Sequence, residues 1–262
     1  MSLTQVIKTE LYKNSRRKSS LMLVIPMVLV IAITFGFSQG IIKLNLTVGN
    51  TDAYSCMDFV CIIWNVLSGL GIVGILLVLF AAYQFSGEIE RGQIKLMLLR
   101  IGKRSTVVIG KYLATVIVAG ASIAGTILTC IVSYYLFVAH SSKGTGTFAS
   151  TIEGLSTWNV WTTIGLQVFM YLILIGITFL SGLFAAPFIS FIVTIITMYV
   201  GNYLAGAENI VSKLLPAYWS NQLMQKGTAP DLRAFGSVGF TMVLTVCIIV
   251  FVMMIFRKQD VK

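Results

Sequence analysis

The chain has 262 residues, of which 57% are hydrophobic and only 11% charged, and its formal net charge is +10. A soluble domain carries about 25% charged residues, so these are too few to cover a water-facing surface. The composition excludes a soluble fold and points to a chain embedded in lipid.

Residues 2–17 come first. Leu3, Val6, Ile7 and Leu11 are apolar, Lys8, Glu10 and Lys13 stand among them, and Ser2 and Gln5 have capping-box spacing. This pattern predicts an amphipathic helix lying in the inner membrane interface.

Five stretches then lack Asp, Glu, Lys and Arg: 19–42, 59–87, 112–142, 154–207 and 234–256. Roughly 20 apolar residues cross a hydrocarbon core of about 30 Å, so four of the stretches are one span each. The run 154–207 holds 54 residues and is too long for one crossing. Pro187, after Ser181-Gly182 and Ala185-Ala186, divides it into two. The six predicted spans are 20–38, 60–84, 112–138, 159–183, 187–205 and 235–256. Barrel strands alternate polar and apolar residues, which these runs do not, and helices satisfy their own backbone in lipid. The predicted fold class is therefore all-α, a single polytopic membrane domain over 1–262. The first span follows about twenty basic-rich residues and has full length, so it reads as a retained helix and not a cleaved signal peptide.

The connection after the second span is the most informative stretch. Ile94, Met97, Leu98 and Ile101 fall at i, i+3, i+4 and i+7, one apolar stripe on a short helix. Gln93, Lys95, Arg100 and Lys103 fill its other faces, and Gly92 and Gly102 mark its ends. Glu88 and Glu90, with Arg91, stand where the span leaves the membrane. Carboxylates there run against the positive-inside trend, which points to a specific partner. Farther on, Ile210, Val211, Leu214 and Leu215, followed by Pro216-Ala217-Tyr218-Trp219, predict a short amphipathic segment at the outer interface.

Basic residues assign the sides. Residues 1–20, 85–111 and the tail hold 14 of the 19 Lys and Arg, and with their acids counted they carry the whole +10. Short basic loops stay inside, so a multi-pass protein of the cell membrane with both termini cytoplasmic is expected. The excess lies at span ends, where anionic membrane lipid accounts for it, and no nucleic-acid partner is expected.

Chemistry-bearing groups are sparse. The predicted spans contain no ionisable acid or base, His140 is the lone histidine, and Cys56, Cys61, Cys130 and Cys247 form no metal-ligand spacing. No phosphate loop occurs: Gly102-Lys103 precedes Arg104, and Gly110-Lys111 precedes Tyr112. No catalytic, cofactor or metal set is expected in this chain, and any driving energy must come from another polypeptide. Small residues such as Gly69, Gly71, Gly74, Gly120 and Gly125 allow close helix packing. The spans offer only apolar and small residues as a lining.

Glu88-x-Glu90-x-Gly92, then Leu98-Leu99, then Gly110-Lys111 resemble a motif of the type-2 ABC exporter permeases, the membrane subunits of ABC transporters. Gln93 departs from the family's usual Thr, and Ile101-Gly102 from its usual Pro. The motif covers about 25 residues, and the whole-chain layout agrees with it. The resemblance implies an export permease in which 88–101 is a coupling helix docking on a separate ATP-binding subunit. Glu88, Glu90, Arg91, Gly92, Ile94, Lys95, Met97, Leu98, Arg100 and Ile101 would form that contact. It also implies two ATPase copies that bind ATP and Mg, and a second permease subunit in a homo- or heterodimer. The short length and lack of large outer domains look like permeases of antimicrobial-peptide export, of the lantibiotic-immunity or bacitracin-resistance type, with drugs and lipid-like substrates as the other expected cargoes. The alternative is a membrane scaffold or sensor with no transport of its own.

Overall fold

The computed structural model describes residues 2–42, 54–101, 103–150, 156–207, 209–226 and 232–258. Among these residues the regular structure is helical, with no strand. The helices are α1 (Leu3–Arg16), α2 (Ile25–Ser38), α3 (Cys56–Gly69), α4 (Ile72–Glu90), α5 (Gln93–Ile101), α6 (Arg104–Ser133), α7 (Thr157–Ser181), α8 (Pro187–Gly206), α9 (Pro216–Lys226) and α10 (Leu232–Lys258). A 3₁₀ segment, Lys18–Val24, leads into α2, and a wider π turn, Tyr134–Val138, extends α6.

Among the described residues, six helical stretches are long and apolar enough to cross a membrane: Lys18–Ser38, Ile72–Glu90, Arg104–Val138, Thr157–Ser181, Pro187–Gly206 and Leu232–Lys258. The 54-residue uncharged run holds two of them. α7 stops at Ser181, and Pro187 opens α8 at a position where its missing N–H costs no helical hydrogen bond.

The second span differs from the sequence expectation of one helix over 60–84. The chain breaks at Leu70-Gly71, where Gly71 takes a φ of 73°. Left-handed backbone cannot continue an α-helix, and only glycine adopts it without strain. The crossing-length helix is therefore α4, displaced toward Glu90, and α3 is a separate 14-residue helix.

The bundle has two ends. At one end Val6 of α1 meets Gly110 of α6, Ser86 Oγ donates to Ala185 O at 2.6 Å, and Arg104 donates to Phe256 O at 3.2 Å. Both described chain ends therefore lie there. At the opposite end Tyr134 Oη donates to Tyr54 O at 2.7 Å and Lys143 Nζ to Phe37 O at 3.0 Å. Ser150 also donates to Asp58 there, a carboxylate that completes the capping box of α3 with Ser55.

Between the ends the interior is aromatic and hydroxylic. Phe85 stacks on Phe179 with ring centroids 4.4 Å apart, and Tyr112 meets Phe179 edge-on. Ser190 and Thr194 of α8 bond Thr178 of α7, which lets the two helices approach closely. The outward faces of α2, α8 and α10 are lined by exposed large apolar side chains, among them Phe188, Ile196 and Tyr203 of α8. Water would not tolerate so continuous an apolar surface, whereas lipid does.

Candidate functional site

Chemistry concentrates at the end of the bundle that holds both described chain ends. α1 begins with a capping box: the Gln5 amide donates to Ser2 Oγ, and Ser2 N donates to Gln5 Oε1 at 3.1 Å. Its buried residues are Val6, Glu10 and Asn14, spaced by four and mostly polar. The apolar residues Ile7 and Leu11 are half-buried, and Leu3 is exposed. The face laid against α6 thus combines Val6 of the predicted apolar residues with the acid and the amide, and leaves Ile7 and Leu11 at its edge. Gly110 permits the approach, because a Cβ there would lie 2.5 Å from Val6 Cγ1.

That approach brings Glu10 to Lys111, with Nζ 3.0 Å from Oε1. Lys111 is only 1% exposed and Glu88 2% exposed, and Lys111 Nζ donates to Glu88 Oε2. Lys13 and Arg17 close on the other oxygen of Glu88. Arg17 also donates to Gln84 Oε1 at 3.0 Å and to Gln93 Oε1 at 3.2 Å. Five charged side chains from α1, its C-terminal edge, α4 and α6 therefore form one network, and Arg17 ties it to α5. Buried charges persist only when paired, so the network fixes these elements relative to one another. Burial, with the Lys111 charge as second cause, holds the Lys13 amine below the usual lysine range, against the pull of Glu88 and Glu10.

α5 rests beside this network. Gly92, with φ of 67°, turns the chain out of α4. Ile94 is fully buried in the main core, while Ile101 joins Val6 and Val107 in a smaller cluster that Met97 and Leu98 cover. Ile94, Met97, Leu98 and Ile101 thus share the inward face. Outward stand Lys95, Leu96 and Leu99, with Leu96 71% and Leu99 85% exposed. The Arg100 side chain and Gly102 lie outside the described residues.

The two acids of the sequence motif part company. Glu90 and Arg91 are exposed at the surface. Glu88 is inside, and the pairing expected for it with another polypeptide is taken up by Lys13, Arg17 and Lys111 of its own chain. Sequence reasoning missed Glu10, Lys13, Arg17 and Lys111 as parts of the site. Two signals were available: Glu10, an acid in a strongly basic segment, and Lys111, which stands in the same motif as Glu88. A recess of about 290 Å³, lined by Arg17, Lys18, Ser19, Tyr83 and Arg91, lies next to the network.

Among curated proteins, none matches this sequence. A family described as "Protein of unknown function (DUF2705)" matches residues 24–262, a stretch that takes in Glu88, Lys111 and the whole of α5 and leaves α1 outside. With nearly its full length matched, the chain belongs to the DUF2705 family.

Proposed function

We propose that this chain is the membrane subunit of an ATP-driven exporter, similar in plan to the type-2 ABC permeases. In this reading α5 is the lever that meets a separate ATP-binding subunit. The observation that carries it is the outer face of α5. Leu96 and Leu99 stand exposed beside Lys95 and Glu90, while the inner face is anchored by Ile94 and Ile101. A short helix with a buried stripe and large apolar side chains on its free face is suited to dock on another protein.

The charge network gives that lever something to move. Arg17 joins Gln93, at the start of α5, to Glu88, and Glu88 joins Lys111. A displacement of α5 would reach α1, α4 and α6 together through rigid, paired charges. α1 lies in the inner interface in this reading, with both termini cytoplasmic and a second permease subunit completing the transporter. The basic recess at Arg17, Lys18 and Arg91 faces anionic lipid there. The cargo we favour is an antimicrobial peptide or a comparable amphipathic molecule, on the resemblance alone.

Affinity purification of the tagged chain from its native membranes tests the reading. An ATP-hydrolysing polypeptide should co-purify, and the double variant L96S/L99S should lose it while still inserting and folding. Capture that is absent from the unmodified chain, or unchanged in the variant, would overturn the assignment.

A further inference from the structure

The break between α3 and α4 opens on a second buried polar region, which the charge network does not explain. A cavity of about 220 Å³ lies there, lined by Asn65 and Ser68 of α3, Gln167 of α7, Asn202 of α8 and Asn221 of α9. The expected lining of apolar and small residues is corrected by this finding: helix packing gathers four carboxamides that lie far apart in sequence. None of the cavity's lining residues is charged. Gln167 sits near the middle of α7 and Asn202 near the end of α8, so the lining runs from the interior of the bundle toward its rim.

One side chain of the lining keeps an atom without a partner. Gln167 Nε2 donates to Ser220 Oγ at 3.0 Å, but its Oε1 is buried with no hydrogen-bond partner among the described residues. Such a group costs about 1–3 kcal/mol when left unsatisfied. Non-helical backbone inside a membrane bundle is tolerated where it lines a cavity, and broken helices there form binding sites.

We infer that this cavity binds an uncharged, amide-bearing apolar molecule, such as a peptide bond flanked by aliphatic side chains. Each carboxamide offers both a donor and an acceptor, which an amide ligand returns in kind. A charged ligand would find no counter-charge in the cavity, and a wholly apolar one would make no hydrogen bond to the amides. Met170, Leu174 and Met198 supply the aliphatic wall. As a statement about cargo this rests on the exporter reading, but the binding is a property of this chain alone.

The test uses the purified full chain in phosphatidylcholine nanodiscs and radiolabelled N-acetyl-leucyl-leucinamide. Saturable binding is expected, about tenfold weaker for the corresponding free acid and about tenfold weaker in Gln167→Leu and in Asn202→Leu. Asn202 is exposed at the cavity edge, so its variant keeps the test open if Gln167→Leu does not fold. Uptake equal to that of empty nanodiscs, equal binding of the free acid, or undiminished binding in both variants would overturn the inference. Tenfold tighter binding of octanol than of the amide would do so as well. ATPase capture at α5 is read separately, so failure of the exporter reading and failure of this site give different results.

Discussion

The two buried polar regions of this bundle are built in opposite ways. At the end near the chain termini, Glu10, Lys13, Arg17, Glu88 and Lys111 are charged, and each has an opposite charge within reach. At the α3–α4 break the groups are neutral amides, and Gln167 keeps an acceptor unpaired. The charged set pairs its charges within itself and holds helices together, although Asn14 Oδ1 and Gln84 Nε2 beside it are buried without a hydrogen-bond partner among the described residues. The neutral set, with bonding capacity left over, is held apart by the helices and is ready for a ligand. Both sit among apolar side chains, so it is paired charge, present in one and absent from the other, that separates a joint from a site.

The comparison breaks most readily at Glu88. Glu88→Ala leaves Lys111, Lys13 and Arg17 without their shared carboxylate, and losing one side of a buried ion pair costs about 3–5 kcal/mol. Thermal unfolding in detergent should show it as a large drop, and the double variant E88A/K111M should recover part of the loss. A single variant as stable as the parent would mean the network is not a joint. Gly110→Leu comes next. The side chain would drive into Val6, and overpacking costs about 1–3 kcal/mol. Here the loss should be local: trypsin should cut at Lys8 and Lys13 while the bundle stays folded. If α1 remains protected, the close approach at Gly110 does not hold it.

A smaller effect is expected at the other region. Gln167→Leu removes one hydrogen bond to Ser220 and also one unpaired acceptor, so its stability should lie within about 1 kcal/mol of the parent. A loss as large as that of Glu88→Ala would make the cavity amide structural and erase the contrast. The smallest effect is the titration of Lys13. Its folded-state pKa is lowered, so between that value and the unfolded one the unfolded chain binds more protons. Stability from this group therefore rises as pH climbs through the folded pKa and is lost below it. The pH profile of Lys13 methylation should have its midpoint below 10.5, and Lys111→Met should move it upward. An unmoved midpoint would show that Lys111 does not act on Lys13.

Much of this was legible in the sequence at the level of elements. The i, i+3, i+4, i+7 spacing of Ile94, Met97, Leu98 and Ile101 is a local periodicity, and those four side chains do face inward together. The capping box of Ser2 and Gln5 is likewise local. The break at Gly71 was present as a cluster of small residues, but such a cluster is equally compatible with close packing in a continuous helix. Gly74 does pack that way, with Met198 beside it, and Gly71 breaks the helix instead.

The sequence alone determined that this chain is all-helical with six stretches long and apolar enough to cross a membrane among its described residues, and that its basic residues gather in a few connections. Length, apolarity and charge placement are properties of contiguous stretches, and the hydrocarbon core reads them stretch by stretch. Tertiary structure decided which polar residues meet. Glu10, Glu88 and Lys111 lie on three helices, as do Asn65, Gln167 and Asn202, and no spacing along the chain announces that either set will converge. Helix rotation settles it, because a turn of α1 that buries Glu10 against Lys111 depends on Gly110 letting the two helices touch.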